Sequence, residues 1–161
     1  MTARIVPDYR ALAVELAAAR NGEPRARVVL ANGCFDVLHV GHVRLLREAR
    51  AHGDLLVVAL NSDASVARNK GAGRPAVPLI ERLEVMAALA GVDYVTSFDE
   101  PTAHELIDAL RPDVHAKGTD WTADAVPERA AVERWGGRVA ICGDPKAHSS
   151  TSLIQRLNAD E

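Results

Sequence analysis

The 161-residue chain has only two cysteines, few aromatic residues and no strong excess of charge of either sign. Cys34 and Cys142 lie far apart and lack the C-x-x-C spacing of zinc or redox motifs, which excludes a disulfide framework and favours a reducing compartment. The formal net charge of −3 gives no global electrostatic argument for binding nucleic acid. No apolar run approaches the roughly 18 residues that a membrane span needs, so none is predicted.

The amino-terminal segment, MTARIVPDYRALAVELAAAR, carries charges throughout and lacks the continuous apolar stretch of a signal peptide. We therefore expect a cytoplasmic protein. Apolar residues recur at helical spacing over Tyr9–Ala19, and Asn21 and Gly22 follow as a stop signal. Residues 1–24 are accordingly predicted to form a helix and linker ahead of a main domain of residues 25–161.

Beyond residue 25, short β-branched apolar runs alternate with amphipathic segments. The predicted strands are Arg27–Ala31, Asp54–Asn61, Val92–Phe98, Val114–Lys117 and Arg138–Cys142. The predicted helices are Val37–Ala51, Leu79–Ala90, Thr102–Leu110, Ala125–Trp135 and Ser150–Leu157. This alternation predicts a single-domain α/β fold with a doubly wound, Rossmann-like, five-stranded parallel sheet. Ligands of such sheets bind beyond the carboxyl ends of the strands, so the loops after each strand are the candidate binding segments.

The loop after the first predicted strand reads NGCFDVLHVGH, from Asn32 to His42. His39 and His42 are three residues apart, which places both imidazoles on one face of the first helical turn. Free N–H groups at a helix start attract an anion, and Gly33 and Gly41 allow it to approach the backbone closely. Two imidazoles beside a phosphate can stabilise a pentavalent phosphorus transition state.

Two other interpretations of this loop remain. The histidines could be surface residues that cap or pack against the helix, or they could bind zinc together with Cys34 and Asp36. The succession of strand, glycine turn, histidine pair and helix favours the phosphate site, and no second ligand cluster supports zinc, so no protein-held metal is predicted. Neither GxGxxG nor GxxxxGK[ST] is present at this turn, which argues against dinucleotide and P-loop sites.

The stretch NGCFDVLHVGH resembles the HxGH signature of the cytidylyltransferase-like nucleotidyltransferase superfamily. Within it, the chain is most similar to the heptose 1-phosphate adenylyltransferases, from about Ala31 to Leu157. The supporting stretches are LNSDASV, RPAVPLIERLEVMAALAGVDYV, FDEPTAHELIDALRPDV, KGTDW and HSSTSLI. The HxGH motif indicates the reaction class, and the longer series of matches indicates the subfamily.

The resemblance implies transfer of AMP from ATP to a sugar phosphate such as heptose 1-phosphate, with release of pyrophosphate. His39 and His42 would donate hydrogen bonds to oxygens of the α- and β-phosphates. Lys70, in the predicted mobile loop RNKGAGRPAVP, would close over the triphosphate, and Arg74 could contribute similarly. Mg²⁺ would arrive with the nucleotide. No general base is required, because the attacking phosphate oxygen is already ionised at neutral pH.

The resemblance also assigns binding roles to loop residues. Those assigned to the nucleotide are Gly33, Cys34, Phe35, Gly41, Lys117, Gly118, Asp120, Ser149, Ser150 and Thr151. Asp36 would orient the histidines or the acceptor, and Arg82 would bind the acceptor's phosphate through its bidentate guanidinium. Residues 149–151 match the family's STT motif but read SST and follow His148. They could equally cap the last helix.

The substrate pair stays open at this level. KGTDW is also compatible with glycerol-3-phosphate cytidylyltransferase, which uses CTP, and GDPKAH at 143–148 departs from both subfamilies. A nucleotide-binding sensor without turnover is a further alternative. Because many members of the superfamily are dimers, we expect a homodimer. Its expected ligands are a nucleotide and a small phosphate monoester, with no nucleic-acid or membrane partner.

Overall fold

The computed structural model describes residues 2–145 and 149–159 and builds them around six parallel strands. The strands are β1 Arg4–Asp8, β2 Val28–Gly33, β3 Leu55–Asn61, β4 Tyr94–Phe98, β5 Val114–Gly118 and β6 Arg138–Cys142. The helices are α1 Tyr9–Arg20, α2 Val40–Arg50, α3 Asp63–Lys70, α4 Leu79–Ala87, α5 His104–Leu110, α6 Arg129–Arg134 and α7 Ser150–Ala159. This arrangement confirms the predicted Rossmann-like α/β class.

The central strands β2 and β3 are buried on both faces, as their nearly unbroken apolar sequences predict. Successive side chains of a strand point to opposite faces of the sheet. Val29 therefore packs in one apolar cluster with Met86 of α4, whereas Leu30 packs in a second cluster with Leu12 of α1 and Leu106 of α5. Burial on both faces fixes the register of the strands, and with it the position of the loops that follow them.

The sheet has six strands and not the predicted five, because Arg4–Asp8 forms β1. This strand pairs with β4 at one edge of the sheet. Its sequence, RIVPD, has charged ends, a proline and no apolar alternation, so it lacks the signal of a buried strand. Proline has no N–H to donate to a neighbouring strand. An edge strand tolerates Pro7 because it has a neighbour on only one side. The predicted helix that follows is confirmed as α1, and its Leu12 and Leu16 are fully buried.

Two segments around the predicted loops also differ from expectation. The cationic loop expected to begin at Arg68 starts later, because α3 continues to Lys70 and ends at Gly71, whose φ is 95°. Lys70 is thus the last residue of a helix and does not lie in the loop. The helix predicted over Ala125–Trp135 is divided by Pro127 into a 3₁₀ turn and the shorter α6, because a proline has no N–H to donate.

The strand order β1-β4-β3-β2-β5-β6 determines where a binding crevice can form at the edge of the sheet. From β2 the chain adds β3 and β4 on one side and later β5 and β6 on the other. The order therefore reverses between β2 and β5, and a crevice opens beyond their carboxyl ends. Among the residues that the structure describes, no helix is long and apolar enough to cross a membrane.

Candidate active site

A cavity of about 770 Å³ opens at the carboxyl ends of β2 and β5. Every residue that the sequence assigned to a catalytic or binding role lines it, with the exception of Arg82. The assigned residues in its lining are Gly33, Cys34, Phe35, Asp36, His39, Gly41, His42, Lys70, Lys117, Gly118, Asp120, Ser149, Ser150 and Thr151. The strand order thus brings together loops that are up to 118 positions apart along the chain, from 33 to 151.

The two histidines occupy the first turn of α2. His39 is the N-cap residue and His42 is the third residue of the helix, as their spacing predicts. Their rings are stacked, with centroids 3.8 Å apart and planes inclined by 26°. The backbone N–H of His39 donates to Nδ1 of His42 over 3.3 Å, and the ring centroids of Phe35 and His42 are 5.1 Å apart. These contacts hold the imidazole of His42 in one orientation.

His42 is uncharged near neutral pH. Burial, and to a lesser extent the neighbouring His39, lower its pKa from 6.5 to about 4. Because Nδ1 accepts the N–H of His39, the single proton of the neutral ring is on Nε2. That N–H is a hydrogen-bond donor for a ligand in the cavity. A bound phosphate would favour the charged imidazolium and so raise the pKa of His42.

The loop between β2 and α2 bends sharply at Phe35, which has a left-handed φ of 45°. This conformation costs an L-residue about 1–2 kcal/mol, and the surrounding contacts maintain it. A side chain at Gly33 would come within 3.3 Å of the Phe35 ring. Burial raises the pKa of the Cys34 thiol, more than the nearby Lys70 lowers it. Cys34 is therefore a protonated thiol near neutral pH.

The structure assigns Asp36 a specific set of partners. Its Oδ1 accepts the N–H of Val77 at 2.9 Å, and its Oδ2 accepts the N–H of Ala76 at 3.0 Å and Nε of Arg74 at 2.6 Å. Burial would raise the pKa of Asp36, but these donors outweigh it and hold the pKa below its ordinary value. Asp36 therefore anchors the segment before α4 to the histidine loop, and Arg74 is committed to this ion pair.

Arg82 is not brought into the cavity. Its side chain is 1% exposed, and its Nη1 donates to the carbonyls of Cys34 at 2.6 Å and Asn61 at 2.9 Å. Nε donates to the carbonyl of Val77 at 2.9 Å, and Nη2 pairs with Asp63 at 2.7 Å. All three guanidinium nitrogens are thus occupied by protein groups. In this placement Arg82 joins the ends of β2 and β3 to the start of α4.

The opposite side of the cavity is formed by the loop after β5. Nζ of Lys117 lies 3.9 Å from Oε2 of the buried Glu128 and 5.5 Å from the ring centroid of Trp121. A side chain at Gly118 would come within 2.9 Å of Oδ1 of Asp120, so the Asp120 carboxylate would have to shift to admit one. This side combines an aromatic face with a closely spaced pair of opposite charges.

The hydroxyl motif at the start of α7 has a structural role as well as a place in the cavity lining. Oγ of Ser149 accepts the N–H of Ser152 at 3.1 Å, which is an N-cap contact. Oγ of Ser150 donates to the carbonyl of Val37 at 2.8 Å and so ties α7 to the histidine loop. Thr151 is exposed at the cavity. His148, which precedes the motif, lies outside the described residues.

Sequence reasoning missed several residues of the cavity. Those with polar side chains include Asn32, Arg44, Asn61, Asn69, Thr119 and Glu128. Asn32 and Asn61 had a usable signal, because each is the polar residue that ends an apolar strand, and parallel strands end at the same edge. Glu128 had none, since an acidic residue before a helix is an ordinary surface feature.

One group of described residues has metal-ligating atoms close enough together to share an ion, and it differs from the zinc set considered from the sequence. Glu48, His52 and Cys142 place one such atom each within 4.8 Å of one another. Burial raises the pKa of Cys142 to about 11, so its thiol is protonated at neutral pH. Glu48 and His52 do not line the cavity, and this group is not part of the candidate active site.

Comparisons with known proteins agree with this geometry. The family model described as cytidylyltransferase-like matches residues 30–156. The bifunctional protein HldE of Syntrophotalea carbinolica is 52% identical over 130 residues, which are 81% of this chain and 26% of that protein. The protein of the same name from Streptomyces coelicolor is 50% identical over 139 residues, which are 86% of this chain and 30% of that protein. The chain thus spans between a quarter and a third of the length of these curated relatives.

A solved structure shares the fold. The lipopolysaccharide core biosynthesis protein from Thermoplasma volcanium GSS1 aligns with a TM-score of 0.64 at 28% identity, covering 75% of this chain and 99% of that one. The family model matches most of the sequence, and the matched residues include the HxGH turn at the start of α2. The chain belongs to the cytidylyltransferase-like family of nucleotidyltransferases.

Proposed function

We propose that this chain transfers AMP from ATP to a sugar phosphate such as heptose 1-phosphate and releases pyrophosphate. The observation that carries the proposal is the pair of stacked imidazoles at the start of α2, in a cavity that also contains Lys70 and the hydroxyls of residues 149–151. The sugar acceptor rests on the likeness to proteins named HldE and to a lipopolysaccharide core biosynthesis protein.

In the proposed reaction, an oxygen of the acceptor phosphate attacks the α-phosphorus in line. A new P–O bond forms as the bond from the α-phosphorus to the bridging oxygen of the β-phosphate breaks, and pyrophosphate leaves with that electron pair. The attacking oxygen is ionised, so the protein removes no proton. Catalysis then consists of positioning and charge stabilisation by Nε2–H of His42, the imidazole of His39 and the ammonium of Lys70.

The nucleotide substrate is expected as its Mg²⁺ complex. Mg²⁺ prefers oxygen ligands and keeps several waters, and it is commonly held by one or two carboxylates and by substrate phosphates. Four carboxylates lie among the described lining residues, and none of them is free. Both oxygens of Asp36 accept protein donors, Glu128 lies beside the ammonium of Lys117, and Asp144 pairs with Arg44. The arrangement therefore favours a metal carried by the phosphate chain over one held in a protein cage.

For the acceptor, we propose an indirect role for Asp36 and Arg82. Together they fix the segment 74–77, which borders the cavity beside the histidine loop. The sugar phosphate would bind against this fixed segment. Substitutions at either residue should then raise the KM for the acceptor more than the KM for the nucleotide.

The decisive experiment is a matrix of pyrophosphate release with ATP or CTP against heptose 1-phosphate or glycerol 3-phosphate. We expect the fastest turnover with ATP and heptose 1-phosphate. Faster turnover with CTP and glycerol 3-phosphate would instead assign the chain as a glycerol-3-phosphate cytidylyltransferase. Tight nucleotide binding with no turnover in any combination would indicate a sensor and overturn the enzymatic proposal.

A homodimer and a cytoplasmic location are further parts of the proposal. Exposed apolar side chains on α4, Ile80 and Val85, suit a contact between copies. Cys34 and Cys142 are both free thiols, which suits a reducing compartment. Light scattering at micromolar concentration would test the dimer, and a monomer mass would contradict it. Fractionation of expressing cells would test the location.

A further inference from the structure

A buried histidine outside the catalytic pair lies beneath the cavity floor. His115, the second residue of β5, is fully buried and pairs in register with Leu30 of β2. Register partners on parallel strands point to the same face, and Asn32, two residues beyond Leu30, points to that face as well. Nε2 of His115 lies 2.7 Å from Oδ1 of Asn32. Nδ1 of His115 is buried and has no hydrogen-bond partner among the described residues.

The hydrogen bond fixes both the tautomer of His115 and the orientation of Asn32. Burial, with a smaller effect of Lys117, lowers the pKa of His115 to about 3, so the ring is neutral. An amide oxygen only accepts, so the proton is on Nε2. Rotating the Asn32 amide by 180° would instead place the ring proton on Nδ1. A buried N–H would then have no acceptor, and such orphaned donors are rare in proteins.

The amide nitrogen of Asn32 is thereby left for another partner. Asn32 lines the cavity, and its Nδ2 donates no hydrogen bond to another described residue. The neighbouring strand offers a contrast: Asn61, at the end of β3, donates its Nδ2 to Oγ of Ser65 at 3.0 Å. Two asparagines therefore end adjacent strands at the same cavity, but the amide nitrogen of only one is satisfied within the described protein.

From this arrangement we infer that Asn32 donates a hydrogen bond from Nδ2 to an oxygen of the nucleotide's phosphate chain, and that His115 is the residue that positions it. The inference rests on the proposed function and adds a donor and its support to that site. A phosphate oxygen is the chosen acceptor because Asn32 directly precedes the glycine turn and lines the same cavity as His39 and His42. A neutral amide aimed from a rigid strand end stabilises charge without adding a counter-charge of its own.

Substitution of Asn32 tests the donor directly, with inorganic pyrophosphate as the calorimetric probe. Asn32→Asp keeps an oxygen for His115 and replaces the donor with a negatively charged oxygen, so we expect pyrophosphate affinity to fall about 100-fold. Asn32→Ala only removes the donor, so we expect a loss of about tenfold. Asn21→Asp, at the exposed end of α1, is the matched control and should bind as the unchanged protein does.

Substitution of His115 tests the positioning role. His115→Gln retains an N–H near the place of the imidazole Nε2–H, so its pyrophosphate affinity should stay within about threefold. His115→Leu removes the donor and should weaken binding about as much as Asn32→Ala does, with no further loss when the two are combined. A purely structural histidine would not show this rescue by glutamine.

Several results would overturn the inference. Wild-type pyrophosphate affinity in both Asn32 variants would remove the proposed donor, whatever the His115 variants do. Equal affinity of folded His115→Leu and the unchanged protein would remove the positioning role. A failure of the proposed function is distinguishable, because it would be seen in the turnover of the unchanged protein, as a faster reaction of another substrate pair or as no reaction, while the pyrophosphate titrations stayed readable.

Discussion

The two sides of the cavity are built with different degrees of burial. The histidine wall, residues 33–42 with 74–77, is held by Asp36 and Arg82, whose side chains are each 1% exposed. The tryptophan wall, residues 117–121 with 143–145, also contains a pair with little exposure, Lys117 and Glu128. Its segment 143–145, however, is held by Arg44 and Asp144, whose side chains are 47% and 52% exposed. Buried charges with several hydrogen bonds hold the surrounding segments in one geometry, whereas exposed ion pairs contribute little to stability.

This difference matches the demands of the proposed chemistry. Stabilising a phosphoryl transition state requires donors that are already in place, because reorganisation during the reaction reduces the benefit. Holding the nucleoside requires shape and stacking, which tolerate adjustment of a loop. We therefore expect the histidine wall to control kcat and the tryptophan wall to control nucleotide affinity.

The largest expected effect is the loss of turnover on removing a transition-state donor from the histidine wall. His42→Ala deletes the Nε2–H and should lower kcat about 10²–10³-fold. Its thermal unfolding temperature should change far less than its activity. His52→Ala, just beyond the other end of α2 and outside the cavity lining, is the matched control. Turnover of His42→Ala at the level of the control would remove His42 from catalysis.

Next in size is the effect of removing the buried arginine behind the histidine wall. Arg82→Met leaves three backbone carbonyls, and the half-exposed Asp63, without their donor. At about 1 kcal/mol or more for each unsatisfied carbonyl, it should lower the free energy of unfolding by about 3 kcal/mol. The measurement is the urea midpoint at unchanged slope. Arg47→Met, on the exposed face of α2, should stay within about 0.5 kcal/mol. A similar small change in Arg82→Met would show that the wall is held by other contacts.

The sequence predicted strands and helix starts correctly where one physical constraint dominated. Apolar runs at Arg27–Ala31 and Asp54–Asn61 had to be buried parallel strands, and the glycine turn with HxGH had to open a helix. The strand at Arg4–Asp8 was missed because an edge strand needs only one partner and little burial, so its sequence carries no apolar signal.

Site residues were predictable when loop position alone placed them in the cavity. That condition held for the histidines and for the glycine-rich loops, which follow strands directly. It did not hold for Arg82, because whether an arginine on a helix reaches a ligand or a set of carbonyls depends on the packing of α4. It did not hold for Glu128 either, which approaches Lys117 only through the tertiary fold.

The two neutral histidines, His42 and His115, predict how the free energy of unfolding depends on pH. The folded pKa values of His42, about 4, and His115, about 3, lie below the unfolded value of 6.5. Between these values the unfolded chain binds more protons, so the free energy of unfolding falls as the pH drops. Each group contributes up to about 1.4 kcal/mol per pH unit.

Urea midpoints at pH 6.5, 5.5 and 4.5 would measure this slope. In His115→Gln one titrating group is gone, so the loss of stability over this range should be smaller than in the unchanged protein. Parallel profiles for His115→Gln and the unchanged protein would mean that His115 is not held neutral in the fold.

The smallest expected effect concerns the exposed pair on the tryptophan wall. Arg44→Ala and Asp144→Ala should each change the free energy of unfolding by less than about 1 kcal/mol, because exposed ion pairs are solvated and screened. Since the carbonyl of Asp144 still accepts Oγ1 of Thr119, the loop after β6 should keep its position. We expect a change of a few-fold in the KM for the nucleotide with kcat nearly constant. A large fall in kcat would show that both walls are equally rigid and that burial does not separate their roles.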